Sequence, residues 1–504
     1  MAEKAKLTEK TGIVVFARIV NTVIDLATVI AVVHILTKTE FAVIAFLLMI
    51  HEAARNIATV GFPESIFYYF ERLTQSTRKA FALQTSAILA VMGVLAGAVI
   101  LAVSYFVPFF LTDWSLQSIQ SVQTLLPLMA LVTVLEVPTW PTTNILLALD
   151  RQKDASWYEI LTSSLSFISL VGPLLLGFPL RTAIYGLAVY ALVRFIGSFI
   201  WLMLKMPHRL EKKSGVTLKQ QFSFSIPLGL SSMVSKLNRY ADKFIVSIIL
   251  PAAAYAEYSI GAQEVPIIRV IPFAVGTVLI SRYVSLELES KKEELLELWY
   301  KGVKKVSLLV IPLTILCIVT APDIIALVAG SEHTSYQNAV IPFQIFNLIV
   351  LLRVTHYGSI LQAFGDTKGV FYLSLNLIVA NIILSVFFTI WWGIIGTAVG
   401  AFLANFYNWY ITLKRIGGHM EVAPFKVLPM KYYLKVLATA VAVAMPIWFG
   451  RYYFFTGAQH ILSFVLSIIF YLAIFILVGS TAGVISKKDR MDLKNWLSLK
   501  FLKY

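Results

Sequence analysis

The chain of 504 residues is 58% apolar and 14% charged, with a mean hydropathy of +0.79. A soluble globular chain is usually about 45–50% apolar and about 25% charged, so a water-soluble body is excluded and an integral membrane protein is expected. The single Cys317 excludes a disulfide framework and a cysteine-cluster metal site, and the net charge of +15 calls for either nucleic acid or the inner face of a membrane.

A spanning helix needs about 20 mostly apolar residues. Such runs recur fourteen times, at 11–36, 40–64, 79–106, 120–148, 155–178, 181–206, 220–250, 253–281, 302–328, 336–363, 369–391, 393–415, 430–450 and 458–481. The first is long and lacks a small-residue cleavage site, so it reads as a retained helix. With the N-terminus inside, 31 of the 42 Lys and Arg fall in inside segments, 3 (Lys38, Arg181, Arg451) outside and 8 within spans. That asymmetry predicts both termini in the cytoplasm and an even number of helices. It also accounts for the positive charge without nucleic acid. Residues 284–301 predict a cytoplasmic amphipathic helix. Residues 486–504 open on a Ser486 cap and set Leu493, Trp496, Leu497 and Phe501 among lysines. That suits a helix lying on an anionic leaflet; a frayed basic tail is the plainer alternative.

The halves repeat. Ile35-Leu36 and Phe41-Ala42 match Ile249-Leu250 and Tyr255-Ala256; Ala148 to Lys153 matches Ala363 to Lys368; Tyr185 to Ala191 matches Ile395 to Ala401. The shifts are 214, 215 and 210, the length of six helices, and both copies begin inside. A parallel repeat is one plan of membrane transporters. The expected fold is all-α: a six-helix bundle at 1–206, a linker at 207–219, a second six-helix bundle at 220–415, two further helices at 416–481 and an amphipathic tail at 482–504.

Ionisable groups inside spans are costly and mark cavities or partners. On the first span Arg18, Asn21, Thr22, Asp25 and Thr28 share an arc of roughly 120° at about 100° per residue. On the seventh, Ser232, Ser235, Lys236, Arg239, Asp242 and Lys243 do the same, and a shift of 214 superposes the two stripes and carries Arg55 onto Arg269. A central cavity lined by spans one, two, seven and eight is expected. Arg18, Arg55, Lys236, Arg239, Lys243 and Arg269 outnumber Asp25, Glu52, Asp242 and Glu264 there. A basic lining favours an anionic head such as phosphate. Asp25 is the candidate for carrying a coupling proton or Na⁺, with Asn21, Glu52, Asp242 and Glu264 as secondary cavity residues. Internal pairing of Glu52 with Arg55 and of Arg239 with Asp242, each three residues apart, is the plainer reading, and Lys243 has the option of snorkelling to the outer interface. Glu136, Arg194, Arg353 and His356 lie in or near spans without a common stripe, and Pro266 and Pro272 flank Arg269. The chain has no phosphate-binding loop, no HExxH and no His/Asp/Glu cluster with ligand spacing. No enzyme activity, cofactor or metal is expected, and transport needs an outside driving force.

The segment LQAFGDTKGVFYLSLNLIVANIILSVFFTIWWGIIGTAVGAFLANF from Leu361, the upstream ALVAGSEHTSYQNAVIPFQIF and the hairpin GFPESIFYYFERL resemble the polysaccharide flippase family. This family is the O-antigen or Wzx-type branch of the multidrug/oligosaccharidyl-lipid/polysaccharide exporter superfamily. Trp391-Trp392 stand where that family commonly has one aromatic or polar residue. The resemblance implies an inner-membrane flippase that carries polyprenyl-pyrophosphate-linked oligosaccharide to the outer leaflet by ion-coupled alternating access. The oligosaccharide lipid, membrane lipids and polysaccharide polymerase or assembly proteins are its implied partners. The basic residues would meet the pyrophosphate. A lipid II flippase shares these features, a cation-coupled drug exporter would favour an acidic cavity, and a membrane glycosyltransferase would need large outer loops with paired carboxylates.

Overall fold

A computed structural model describes residues 2–206, 214–454 and 460–486, without the side chains at 2–12, 15, 266, 267, 269, 277, 331–333, 451–454, 460 and 461. The tail expected over 486–504 therefore lies outside the described residues beyond Ser486, as does most of the 207–219 linker. The described residues form helices without a strand. By contact the chain divides into two units, Met1–Ser259 and Ile260–Tyr504.

The first unit holds α1 (Ala2–Ile35), α2 (Lys38–Ala58), α3 (Phe62–Phe70), α4 (Gln75–Phe110), α5 (Leu116–Glu136), α6 (Thr142–Ala148), α7 (Gln152–Leu175), α8 (Leu180–Lys205), α9 (Leu218–Ile249) and most of α10 (Ala252–Gly261). α2 starts at a capping box, in which Thr37 and Glu40 satisfy each other's backbone amides. α9 starts at another, built from Thr217 and Gln220. α1 lies along α7, α4 along α5, and α8 against both α5 and α7. α9, expected to open the second bundle, packs on α2 and α3 within this unit. The reason is a backbone crossing. Gly61 has φ +66°, and a Cβ there would stand 1.8 Å from the Ser225 carbonyl oxygen; a Cβ on Gly229 would stand 2.1 Å from the Gly61 nitrogen. Only glycine on both sides permits that approach.

The second unit holds α11 (Pro266–Leu288), α12 (Lys292–Val319), α13 (Ala321–Ala329), α14 (Val340–Leu352), α15 (Tyr357–Ala363), α16 (Thr367–Met420), α17 (Met430–Phe454) and α18 (His460–Thr481). α17 runs along α12, and α18 packs on α13 and α17. The two C-terminal helices thus share this unit's core, Val436 of α17 and Tyr471 of α18 lying in it with Trp299, Val303 and Ile311 of α12. The separate amphipathic helix expected at 284–301 is corrected here. α11 runs on to Leu288, Ser290 turns the chain at φ +56°, and 292–301 is the first part of α12. Its apolar stripe continues into the span: Leu295 and Trp299 are buried in line with Val303 and Val306, and Trp299 Nε1 donates to the Val427 carbonyl at 2.9 Å.

Among the described residues twelve helical stretches are long and apolar enough to cross a membrane. That set takes α16 as one stretch and omits α9, whose Lys236, Arg239, Asp242 and Lys243 lower its hydropathy. α16 is two antiparallel helices joined at Trp392 and Gly393, which leave helical geometry with Gly393 at φ +58°. Counting both halves and α9 brings the total to the expected fourteen. Several expected spans are broken rather than continuous: 40–64 at Gly61, 120–148 at Val137–Thr139, 253–281 between Gly261 and Pro266, 302–328 at Thr320, and 336–363 between Leu352 and Tyr357.

The repeat is visible in backbone detail. α6 and α15 span equivalent residues at a shift of 215, and α7 and α16 begin at the same shift. After α6, Asp150 has φ +60°, with Asp150 N donating to Leu147 O at 3.0 Å and Arg151 N to Leu146 O at 2.9 Å. After α15, Gly365 has φ +69°, with Gly365 N donating to Gln362 O at 3.0 Å and Asp366 N to Leu361 O at 2.9 Å. Both are left-handed helix caps of the same hydrogen-bond pattern.

Candidate functional site

In the first unit the helix break at the end of α5 places Glu136 in the interior, 4% exposed. A buried carboxylate is tolerated only when paired and hydrogen-bonded. Arg194 Nη1 on α8 lies 3.3 Å from one oxygen; His51 Nε2 and Arg55 Nη1 on α2 lie 3.2 and 3.8 Å from the other. Thr133 Oγ1 holds the far nitrogen of His51 at 2.8 Å. Trp140, just beyond the break, lies under both guanidiniums, at 4.0 Å from Arg55 and 5.4 Å from Arg194.

This cluster forms one wall of a cavity of about 700 Å³. Asn21, Asp25 and Thr28 of α1 line it, as do Glu52 of α2 and Glu159 of α7. Four carboxylates thus face two arginines, so this cavity is acid-rich, unlike the basic lining expected of a central one. Arg55 Nε, Arg194 Nε and Asn21 Oδ1 are buried without a protein hydrogen-bond partner. Such groups require water or a polar guest.

The expected residues separate as follows. Asn21, Asp25, Glu52 and Arg55 come together on this cavity, whereas Arg18, exposed on α1, and Lys236 and Arg239, on α9, do not line it. Arg55 turns to Glu136 instead of Glu52, and Glu52 accepts from Tyr240 at 2.6 Å. Asp242 is buried and accepts from Tyr258 at 2.8 Å. The side chain of Arg269, on α11, lies outside the described residues.

Glu264 belongs to a matching network in the second unit. Arg353, at the break between α14 and α15, donates from Nη1 to Glu264 at 2.7 Å and from Nη2 to Asn405 at 2.6 Å. Glu136, Arg194 and His51 map onto Arg353, Asn405 and Glu264 at offsets of 217, 211 and 213. Each unit therefore holds a polar knot at the same helix break, centred on a buried acid in the first and on a partly exposed base in the second. Helical stripes missed it because its members come from separate helices. The repeat offset was the signal that could have found them. Beside the second knot lies a cavity of about 340 Å³.

No curated protein sequence matches the chain. In fold it is similar to the lipid II flippase MurJ in an inward closed conformation, with a TM-score of 0.69 and 15% identity over 94% of this chain and 98% of that one. It is similar to an inward-facing multidrug resistance transporter of the MATE family of the MOP superfamily, with a TM-score of 0.63 and 15% identity over 80% and 95%. A MOP superfamily transporter from Pyrococcus furiosus follows, with a TM-score of 0.55 and 15% identity over 81% and 94%. At such identities the likeness concerns the fold. Residues 31–338, more than half of the chain, match the family model described as polysaccharide biosynthesis protein, and this multi-pass membrane protein belongs to that family.

Proposed function

We propose that the protein is a flippase that moves polyprenyl-(pyro)phosphate-linked oligosaccharide from the cytoplasmic to the outer leaflet of an inner membrane, by alternating access coupled to a proton or Na⁺. The observation that carries this reading is membership of a polysaccharide biosynthesis family by a chain with the fold of MOP-superfamily transporters. The charge asymmetry of the loops supports cytoplasmic termini. Arg18, Lys236, Arg239 and Arg269, with Arg55, are the residues assigned to the anionic head. Asp25 is assigned to ion coupling, and its place on an acid-rich cavity beside Glu52 and Glu159 supports that role.

The same acidic lining favours a second reading, a cation-coupled exporter of small cationic compounds. The family membership weighs for the flippase.

Mass spectrometry of polyprenyl-linked glycans in cells lacking the protein tests the proposal, with sidedness read by an impermeant glycan-modifying reagent. A completed oligosaccharide lipid should accumulate on the cytoplasmic side. Arg18→Ala and Arg269→Ala should reproduce that accumulation while inserting normally. Intact glycan export without accumulation would turn the reading to the exporter, to be followed with cationic dyes.

A further inference from the structure

In the knot of the first unit, His51 is the side chain whose charge changes near neutral pH, and its surroundings give it partners in both charge states. Nε2 stands 3.2 Å from a Glu136 oxygen. Glu136 is a carboxylate paired with Arg194 at 3.3 Å and Arg55 at 3.8 Å. A lone pair on Nε2 would oppose that carboxylate, so this nitrogen carries a hydrogen throughout. The change of charge is therefore confined to Nδ1, which stands 2.8 Å from Thr133 Oγ1. The same hydroxyl lies 2.8 Å from the Met129 carbonyl oxygen. With a neutral ring, Thr133 turns its hydrogen to Nδ1. With a proton on Nδ1, that nitrogen donates to Thr133 Oγ1 and the hydroxyl turns its hydrogen to Met129. One rotation of a hydroxyl admits the proton, no heavy atom moves, and neither state leaves the ring unpaired.

We infer that His51 binds the coupling proton of this transporter, at Nδ1. The inference rests on the flippase reading, selects the proton as the coupling ion and gives it a holding site. His51 is 4% exposed, yet it lines the same cavity as Asp25. Asp25, exposed on α1, gives the proton a way in. The charges around the ring set the cost of the added one. On α2 itself, Glu52 and Arg55 are of opposite sign. On α8, Arg194 is engaged by Glu136 and by the Tyr190 hydroxyl. α9 brings Tyr240, bonded to Glu52, and Lys243. α4, also packed on α2, carries no charge beyond Lys79. With Glu159 of α7, the carboxylates lining the cavity outnumber its guanidiniums four to two. An imidazolium therefore brings the lining closer to neutrality, and its buried charge is paired and hydrogen-bonded at both nitrogens.

The test uses the full-length protein in lipid nanodiscs with isotope-labelled histidine, read by NMR from about pH 5 to 8. One signal, absent in His51→Gln, should pass between two limits over that range. A glutamine amide keeps both contacts, its nitrogen toward Glu136 and its oxygen toward Thr133, and takes up no proton. A purely structural histidine is therefore replaceable by glutamine, and a proton carrier is not. His51→Gln should keep the thermal midpoint within about 2 °C and still accumulate the oligosaccharide lipid on the cytoplasmic side, as cells lacking the protein do. Thr133→Val, which removes the turning hydroxyl, is the second variant, used if His51→Gln is not monodisperse; it should alter the titration of one histidine signal and stop export. A His51 signal that stays constant over this range overturns the proton site and leaves the flippase reading standing, and so does a folded His51→Gln that exports like wild type. Cells lacking the protein that accumulate no oligosaccharide lipid remove the flippase reading, and the coupling role falls with it.

Discussion

Glu136→Ala would leave two guanidiniums and an imidazole facing one another in the interior of the first unit. At 3.3 Å the Glu136–Arg194 pair has a Coulomb attraction of about 5 kcal/mol at an effective dielectric constant of 20. Desolvation of both partners offsets much of that in the intact pair. Removal of one partner is different, because the other stays buried without compensation, at a cost of about 3–5 kcal/mol. At roughly 2 °C per kcal/mol for a unit of this size, the unfolding midpoint should fall by about 6–10 °C. Tryptophan fluorescence or size exclusion after heating in detergent would read it. The double variant Glu136→Ala/Arg194→Leu should lose less than the sum of its singles by at least about 1 kcal/mol. A fall under about 2 °C for Glu136→Ala, or strict additivity in the double variant, would refute the reasoning that Glu136 and Arg194 compensate each other in the interior of this unit.

Gly229→Ala should destabilise the first unit by at least about 1–3 kcal/mol, because two backbones must separate to admit the methyl group; protease resistance at the α2–α3 junction and the thermal midpoint both report it. Trp299→Phe removes the donor to the Val427 carbonyl and should cost about 1–2 kcal/mol, read as a lower midpoint with unchanged insertion. Asp366 accepts from Arg415, His419 and the Gly369 amide at 2.8, 3.0 and 3.0 Å. Those hydrogen bonds, that from Arg415 foremost, hold its carboxyl well below the usual carboxylate range. Its stabilisation is therefore full above the free aspartate value of about 3.9 and is lost as pH falls through the lower folded value. Asp366→Asn should lower stability at neutral pH and flatten the acid side of the stability curve; an unchanged acid profile would show that the Arg415 contact contributes nothing.

Much of this protein could be read from the chain itself. Spans of about 20 apolar residues have one stable state in a bilayer, because every backbone amide must be satisfied within the segment. The all-α fold and the fourteen spans follow from that, including α9, which is too polar for a hydropathy threshold. The repeat was equally legible, since Asp150 and Gly365 occupy the same left-handed cap at a shift of 215. Helical periodicity correctly put Asn21 and Asp25 on one face of α1. Periodicity says nothing about which helix that face meets, and there tertiary structure decided. Glu136, His51, Arg55 and Arg194 come from α5, α2 and α8, and nothing local announces that a helix break will aim a carboxylate at two arginines. The turn of Arg55 to Glu136 instead of the nearby Glu52 has the same cause: a buried carboxylate across the interior competes for the guanidinium, and Tyr240 already satisfies Glu52. The amphipathic segment at 284–301 failed for a related reason. Its apolar stripe suits a membrane surface as well as a protein core, and only the packing of Trp299 beneath Val427 makes it the opening of α12.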